Sequence, residues 1–341
     1  MRILIVSDAW YPQINGVVRT MTAMRDQLEE MGDTVELITP NGFRSVPCPT
    51  YPEIRLALAG PDAVARTVEK FFPCAINIVT EGPLGLAARR FCIKRKLPFT
   101  TAFHTRFPEY LHARFRIPED TIYPLMRWFH AAASSVMVPT PTVVDNLIAK
   151  GFRNVRLWGR GVDIDLFKPG PKAKIPRMEG PILLYVGRVA VEKNIEAFLK
   201  LNTPGTKVVV GDGPLLESYR LSFPETVFVG AKHGEELATY YNAADAFVFP
   251  SRTDTFGLVM LEALACGVPV AAYPVMGPKD VITDPDIGCL HDDLTSAIES
   301  ALTKQSGACR KFAVARSWRN SAETFRSYLH FFDSMEPHDM H

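Results

Sequence analysis

Two basic side chains that follow the apolar segment Ile182–Val186 could hold an anion. Arg188 and Lys193 come within six residues of Gly187, where a loop leads to the start of a helix. Arginine offers a planar fork of donors, lysine offers a point charge, and the first amides of a helix also favour an anion. The arrangement suits a diphosphate, although two exposed charges on an ordinary loop would leave the same pattern.

Two carboxylates lie close together in the segment 251–262. Asp254 belongs to a loop that follows a predicted strand, and Glu262 interrupts an otherwise apolar predicted helix. An acidic residue in such a helix needs a partner or a ligand. Both carboxylates could accept hydrogen bonds from sugar or ribose hydroxyls, and the amides of residues 256–259 could bind phosphate or sugar oxygens. A capping aspartate and a salt-bridged glutamate explain the spacing equally well.

Two further candidates lie in the first half of the chain. Gly16 follows the first predicted strand at a helix start, where the missing side chain lets a ligand approach the amides. His104 follows the apolar segment Phe99–Phe103, at the strand end where open α/β sheets bind ligands. A tight turn and a structural histidine are the alternatives. The first loop lacks G-x-G-x-x-G, which counts against a dinucleotide site there.

The elements that must position these residues alternate between strands and helices. Short apolar segments such as Ile3–Val6 predict buried parallel strands, and the helical spacing of apolar residues from Val17 to Met31 predicts the helix that follows. The segment Phe167–Gly180 contains three prolines and two glycines and predicts an interdomain linker. The predicted fold is therefore α/β, with two Rossmann-like domains whose parallel sheets face each other across a cleft.

Composition limits the class of protein. A chain of 341 residues, 47% apolar and 22% charged, predicts about two globular domains, and a net charge of +1 argues against a nucleic-acid partner. The six cysteines are widely spaced, and neither they nor the histidines show metal-ligand spacing. The N-terminal apolar segment is too short for a signal peptide, and no apolar run could span a bilayer. We therefore expect a cytoplasmic protein with reduced thiols.

A basic and aromatic stretch could contact a membrane. Residues 89–96 read RRFCIKRK, and the chain from Phe103 to His130 mixes aromatic residues with arginines. Such a mixture can dock on anionic lipid, although a solvated helix face beside core aromatics is the competing interpretation. The residues concerned in the second part are Arg106, Phe107, Tyr110, Arg114, Phe115, Arg116, Tyr123, Arg127, Trp128 and Phe129.

The order of these motifs resembles the family 4 retaining glycosyltransferases of the GT-B fold. In order, the chain carries N-G-V near its start, H-T after a strand, G-V-D near the first domain's end, G-R…E-K-N, G-D-G-P and an acidic-x7-E helix. The match extends from Ile3 to about Phe332. The segments S-D-A-W-Y-P-Q-I-N-G-V-V-R-T and T-D-T-F-G-L-V-M-L-E-A look most like bacterial members that glycosylate lipids, including diacylglycerol.

The resemblance implies which domain binds which substrate. It implies an acceptor-binding domain over residues 1–166, a linker over 167–180, a nucleotide-sugar-binding domain over 181–315, and a helix over 316–341 that crosses back to the first domain. It also implies transfer of a sugar from a nucleotide diphosphate sugar, with retention at the anomeric carbon and without a metal or other cofactor.

Roles carry over from the family residue by residue. The resemblance implies that Arg188 and Lys193 bind the diphosphate and stabilise its charge as it leaves, and that the amide of Gly16 contacts it. Asp254 would face the donor sugar, His104 would touch that sugar, and Glu262 would hold the ribose hydroxyls. The expected backbone contacts are Phe256 and Gly257 to sugar hydroxyls, and Leu258 and Val259 near the phosphates. The family usually has Glu where this chain has Asp254, which is one methylene shorter.

The sequence thus predicts a retaining hexosyltransferase. It would transfer a hexose or hexuronic acid, from a UDP-sugar, to a membrane lipid such as diacylglycerol at an anionic inner membrane surface. Catalysis would rest on positioning and on stabilising the leaving charge, since no carboxylate is placed as a covalent nucleophile. Three alternatives stay open: transfer to a soluble glycan or to phosphatidylinositol from GDP-mannose, a nucleotide-sugar epimerase or hydrolase, and a non-catalytic nucleotide-sugar or lipid-surface binding protein.

Overall fold

The chain forms two compact units. The computed structural model describes residues 1–12, 15–48, 51–104, 108, 116–175, 180–254 and 256–333. Contacts assign Met1–Gly159 and the chain from Trp318 onward to the first unit, and Arg160–Ser317 to the second. Each unit contains a six-stranded sheet whose strand pairs are all parallel. The predicted α/β class with two Rossmann-like sheets is confirmed.

The first unit orders its main sheet β2-β1-β5-β6-β7-β8 and adds the antiparallel hairpin β3-β4. Its strands are β1 (Arg2–Val6), β2 (Thr34–Ile38), β3 (Ser45–Cys48), β4 (Tyr51–Ala57), β5 (Ala75–Ile78), β6 (Thr100–Ala102), β7 (Ser135–Val138) and β8 (Val155–Leu157). The helices that precede the second unit are α1 (Gly16–Glu30), α2 (Pro61–Phe71), α3 (Pro83–Lys94), α4 (Glu119–His130) and α5 (Pro141–Ala149).

Helix α1 shows why the local sequence folds as it does. The Asn15 side chain accepts hydrogen bonds of 3.0 Å from the amides of Val17 and Val18, which fixes the start of the helix. The predicted apolar face is buried, with Val18, Met21, Met24 and Leu28 inside. Gly16 is therefore the first residue of a helix whose start is fixed by its cap.

The second unit repeats the pattern, with strand order β11-β10-β9-β12-β13-β14. Its strands are β9 (Ile182–Val186), β10 (Thr206–Val210), β11 (Val227–Gly230), β12 (Ala246–Phe249), β13 (Val270–Ala272) and β14 (Gly288–Leu290). Its helices are α6 (Ile195–Leu199), α7 (Leu216–Ser222), α8 (Gly234–Ala243), α9 (Leu258–Ala265), α10 (Pro278–Val281), α11 (Leu294–Ala301) and α12 (Ser306–Val314).

The last helix, α13 (Trp318–Tyr328), returns to the first unit. The buried Trp158 ring lies 4.9 Å from the Phe325 ring, and its Nε1 donates to the Ser321 carbonyl over 3.1 Å. Arg326 donates from Nε to a carboxylate oxygen of the buried Asp33 over 2.6 Å. Through these contacts the C-terminal helix completes the core of the first unit.

The division between the units falls before the segment expected to link them. Val162 and Phe167 are buried in the core of the second unit, and Arg310 donates to the carbonyls of Ile164 and Phe167 over 2.9 and 2.7 Å. The contact boundary therefore lies at residues 159 and 160, rather than at the expected 166. Residues 167–175 belong to the second unit, and residues 176–179 lie outside the described part of the chain. Within the described residues, no helix is long and apolar enough to cross a membrane.

Candidate active site

Backbone hydrogen bonds connect the loop that carries Arg188 to the end of β10 and to the G-D-G-P sequence at residues 211–214. The amides of Gly187 and Val189 donate to the carbonyls of Val210 and Asp212 over 3.0 and 2.9 Å. A side chain at Gly211 would overlap the carbonyl oxygen of Gly187. The glycine thus allows two backbone segments to approach closely at the carboxyl edge of the second sheet.

Arg188 itself lies at the surface of the second unit. Its side chain is 46% exposed, and Nη1 lies 3.9 Å from a carboxylate oxygen of Glu192. The buried Tyr185 hydroxyl donates to the Arg188 carbonyl over 2.8 Å and so supports the backbone of the loop. Burial raises the pKa of Tyr185, and the negative charges of Asp254 and Glu192 raise it further. The edge around Arg188 therefore contains both signs of charge.

Lys193 and Asp254 form an ion pair across two loops. Lys193 Nζ lies 2.5 Å from Asp254 Oδ1, and the two side chains are 28% and 20% exposed. The other carboxylate oxygen, Oδ2, is buried and has no hydrogen-bond partner among the described residues. A buried acceptor without a partner is costly, so Oδ2 is well suited to accept a hydrogen bond from a ligand.

Two further hydrogen bonds join the same loops. Asn194 donates from Nδ2 to the carbonyl of Pro250 over 3.0 Å, and Thr253 donates from its hydroxyl to the carbonyl of Glu192 over 3.0 Å. We call these two bonds and the Lys193–Asp254 pair the loop clamp. Asn194 has a left-handed backbone with φ of 50°, a conformation that asparagine tolerates better than most residues. That preference was the only sequence signal for its structural role.

Helix α9 starts just after the loop that carries Asp254. Gly257 precedes it with φ of 84°, and within the described part of the chain no side chain caps this terminus. Gly277, with φ of 88°, approaches the loop so closely that a side chain there would come within 2.6 Å of the Asp254 carbonyl. The predicted Phe256, Gly257, Leu258 and Val259 lie at this helix start, while Thr255 lies outside the described residues. An uncapped helix N-terminus next to a cation favours an anion.

Glu262 is buried one turn further along α9. It is 3% exposed, and the Tyr241 hydroxyl of α8 donates to its Oε2 over 2.8 Å. Burial, with the charge of Glu262 as the second cause, raises the pKa of Cys266 to about 12, which keeps that thiol protonated. The acidic residue of this apolar helix thus has a hydroxyl partner.

The two remaining predicted residues belong to the first unit. Gly16 lies at the start of α1, and a side chain added there would meet nothing within 4 Å. His104 follows β6, and its ring packs edge-on against Trp158 at 5.7 Å. Both lie at the carboxyl edge of the first sheet, whereas the other predicted residues gather at the carboxyl edge of the second.

Sequence reasoning missed two groups at the edge of the first sheet. Asp8 accepts hydrogen bonds from the amides of Leu84 and Gly85 over 2.8 and 3.2 Å, and so caps α3. Burial raises the pKa of Asp8 despite these bonds. His130 lies within 3.2 Å of Glu81 through Nε2, and within 2.8 Å of the Thr101 hydroxyl through Nδ1. Only the position of Asp8 and Glu81 after strands could have pointed to them.

The basic and aromatic stretch is only partly a surface. Arg89 is buried, donates to the carbonyls of Phe129 and Trp128 over 2.9 Å each, and lies 3.9 Å over the Trp128 ring. Arg89 therefore adds no exposed charge to a lipid-contacting surface, because α3 turns this side chain toward α4. Tyr123 and Phe129 are buried too. Arg106, Phe107, Tyr110, Arg114 and Phe115 lie outside the described residues.

An exposed set of basic and apolar residues nevertheless remains on α3, on the residues just after it and on α4. We call it the α3–α4 surface, and it comprises Arg90, Ile93, Lys94, Lys96, Leu125, Arg127 and Trp128. Leu125 is 58% exposed, and Ile93 and Trp128 are each 47% exposed. The described residues contain no group of three or more His, Cys, Asp or Glu that could hold a metal ion.

Comparisons with known proteins identify the family. A model described as Glycosyltransferase Family 4 matches residues 14–166, and one described as Glycosyl transferases group 1 matches residues 180–304. The chain is 30% identical to the sulfoquinovosyl transferase SQD2 of Arabidopsis thaliana over 84% of its length, but spans only 62% of that relative. It is 28% identical to a GDP-mannose-dependent alpha-mannosyltransferase of Mycobacterium tuberculosis, over 93% of both chains. It is 28% identical to the alpha-monoglucosyldiacylglycerol synthase of Streptococcus pneumoniae, over 97% of this chain and 85% of that one.

Solved structures share the architecture. The sucrose-phosphate synthase of Thermosynechococcus elongatus superposes with a TM-score of 0.80 at 23% identity, covering 96% of this chain and 97% of that one. Anabaena HepE, solved with UDP and glucose, gives a TM-score of 0.69 at 16% identity, covering 95% of this chain and 98% of that one. With two parallel sheets in the GT-B arrangement and both halves matched by family models, the chain belongs to family 4 of the glycosyltransferases, whose members transfer sugars with retention.

Proposed function

We propose that this glycosyltransferase transfers a hexose or hexuronic acid from a UDP-sugar to a membrane lipid such as diacylglycerol. The observation that carries the donor half is the loop clamp just before α9: among the described residues, Asp254 Oδ2 has no hydrogen-bond partner and the start of α9 has no side-chain cap. Cations and free amides suit a diphosphate, and a buried carboxylate oxygen suits a sugar hydroxyl.

The same residues suit the chemistry of retention. The bond between the anomeric carbon and the donor phosphate breaks, and negative charge develops on the departing diphosphate. Arg188, Lys193 and the α9 amides would stabilise that charge, while Asp254 would hold the sugar through a hydroxyl. The acceptor oxygen then bonds to the anomeric carbon from the same face, and its proton passes to the leaving phosphate oxygen.

The donor nucleotide would extend from this point toward Glu262. Its buried carboxylate is oriented by the Tyr241 hydroxyl, so its position is fixed before a ribose arrives. Ribose hydroxyls are donors that such a carboxylate can accept without a counter-ion. UDP complexes of a structural neighbour with the same architecture support a nucleotide donor.

The acceptor half rests on the relatives and on one surface. Two relatives are named for the synthesis of a glucosylated diacylglycerol. They are the alpha-monoglucosyldiacylglycerol synthases of Streptococcus pneumoniae and Acholeplasma laidlawii. The α3–α4 surface adds exposed cations and large apolar side chains to the first unit, a combination that binds anionic lipid surfaces.

A transfer assay tests the proposal. Purified protein receives one labelled donor at a time, UDP-glucose, UDP-galactose, UDP-glucuronate or GDP-mannose, with anionic vesicles that contain or lack diacylglycerol. We expect label in the organic phase only when diacylglycerol is present. Label that moves only to a soluble glycan would refute the lipid acceptor, and donor consumption without any acceptor would indicate an epimerase or hydrolase.

GDP-mannose is the second candidate donor. The alpha-mannosyltransferases named for it match this chain over 93% of its length in two mycobacterial species. In the same assay, transfer from GDP-mannose with no transfer from any UDP-sugar would replace the UDP part of the proposal. Vesicles that contain phosphatidylinositol, with and without diacylglycerol, would then identify the acceptor.

A further inference from the structure

Arg252 is a cation that the proposed donor chemistry does not yet use. It lies in the loop between β12 and α9, two residues before Asp254, and its side chain is exposed. Its guanidinium carbon lies 3.7 Å from the centre of the Tyr273 ring. Tyr273 follows β13 directly and is buried, so the stacking joins the carboxyl ends of two neighbouring strands.

The stacking orients Arg252 without using its hydrogen-bond donors. Within the described residues, the guanidinium has no hydrogen bond and no ion pair, and its one contact of this kind is with the Tyr273 face. Lys193, by contrast, is already paired with Asp254. A guanidinium held by its flat face keeps its N–H edge available for an anion, and this edge matches the two oxygens of a carboxylate.

The position of Arg252 relative to the loop clamp indicates which part of a donor it would meet. Thr253, its neighbour, is bonded to the Glu192 carbonyl, and Asp254 is paired with Lys193. Arg188 and Lys193 already supply two cations for a diphosphate. A neutral hexose needs no counter-charge, whereas an acidic group on the sugar does, and a third cation on the Asp254 side of the loop would balance that group.

We propose that Arg252, stacked on Tyr273, is the specificity-determining residue that binds the carboxylate of a hexuronic acid donor. The inference rests on the proposed function, because it assumes that the sugar of the donor lies at Asp254. It narrows the donor from any hexose to a sugar that carries a carboxylate at C6.

Two donors that differ only at C6 test the proposal. UDP-glucuronate and UDP-glucose are compared for wild type, Arg252→Ala, Arg252→Lys and Tyr273→Leu, with kcat/KM for transfer as the readout. Wild type should prefer UDP-glucuronate. A lost charged hydrogen bond changes such a ratio by about 10- to 100-fold, so Arg252→Ala should reduce the preference by that factor. Arg252→Lys should retain part of it, because lysine keeps the charge but loses the fork.

Controls separate this proposal from the function on which it rests. Arg220→Ala removes an exposed arginine of the same unit that is paired with Glu217, and it should leave the preference unchanged. If Arg252→Ala leaves the ratio of kcat/KM for the two donors unchanged, even with equal losses for both, the role of Arg252 is overturned. If wild type transfers neither sugar, the proposed function fails for these two donors, and calorimetric affinities of the two UDP-sugars for wild type and Arg252→Ala still decide the inference.

Discussion

At the residue scale, Arg188 offers the most direct test of leaving-group stabilisation. Its side chain is 46% exposed and its contact with Glu192 is long, at 3.9 Å, so its removal should cost little stability. Loss of one stabilising donor in an active site lowers kcat by about 10²–10³-fold, and we expect Arg188→Ala to fall in this range. The measurement is kcat with the donor that the transfer assay identifies, alongside the melting temperature. Arg220→Ala is the matched control, and near-normal turnover of Arg188→Ala would contradict the role.

Substitution of Gly16 tests whether the donor needs the space that a missing side chain leaves at the start of α1. A side chain at Gly16 would meet nothing within 4 Å, and the backbone φ of Gly16 is not positive. Gly16→Ala should therefore fold normally. If a diphosphate approaches this amide, the added methyl group would hinder it, and kcat/KM for the donor should fall at least about tenfold. Gly307→Ala is the control, because Gly307 also lies in the first turn of a helix with nothing within 4 Å. Equal activity of the two variants would exclude the contact.

Residue types were predictable from the sequence, but their partners were not. Lys193 and Asp254 are 61 positions apart, and nothing in the local pattern says that their loops meet. Glu262 was expected to need a partner, yet that partner is Tyr241, an aromatic residue on another helix that reads as ordinary core. Contacts of this kind depend on how helices pack over a sheet, and strand and helix periodicity carries no such information.

At the element scale, the strands were predictable because buried parallel strands are apolar throughout. The boundary between the units was not, since prolines and glycines mark bends in the backbone, whereas a boundary depends on which core a residue joins. Phe167, the first residue of the expected linker, is buried beside Tyr241 with ring centres 5.7 Å apart. The burial of Arg89 was equally unpredictable from the sequence, because it depends on where α4 packs.

The attachment of α13 gives a prediction about pH. Burial raises the pKa of Asp33, but the hydrogen bonds and positive charges of Arg326 and of the Met1 amino group together outweigh it and hold that pKa below its ordinary value. A carboxylate with a lowered folded-state pKa stabilises the fold above its unfolded-state pKa of about 3.9, and that contribution disappears as pH falls through the folded-state value. Arg326→Met should therefore lower the stability of the first unit at pH 7 by about 1–3 kcal/mol, and by less near pH 3.

Tryptophan fluorescence isolates this effect. The four tryptophans are Trp10, Trp128, Trp158 and Trp318, and all belong to the first unit. Urea unfolding followed by this signal at pH 7 and pH 3 therefore reports on the unit that α13 completes. Arg319→Met, which removes an exposed pair with Glu323 on the same helix, should change stability by less than about 0.5 kcal/mol. A loss in Arg326→Met that is the same at both pH values would exclude the Asp33 linkage.

At the scale of the whole molecule, a net charge of +1 cannot by itself draw the protein to an anionic membrane. Attraction must come from a local concentration of charge, and the α3–α4 surface supplies one beside Leu125 and Trp128. Binding driven by this surface should weaken with salt, because the screening length falls from about 10 Å at 0.1 M to about 3 Å at 1 M. We expect sedimentation with vesicles that contain anionic lipid at low salt, and much less at high salt or with neutral vesicles.

Charge reversal connects that binding to particular residues. Each basic residue near an anionic surface contributes about 1 kcal/mol, so reversing Lys94 and Lys96 together should weaken vesicle binding by well over about tenfold. Lys94→Glu with Lys96→Glu is compared with Lys200→Glu, a reversal at an exposed lysine of the second unit that is paired with Glu196. If the surface docks the enzyme on its acceptor, the double variant should also lose transfer to vesicles while retaining donor affinity, because neither lysine is among the residues assigned to the donor. If vesicle binding does not change with salt, or if both variants lose vesicle binding equally, membrane contact belongs to another part of the molecule.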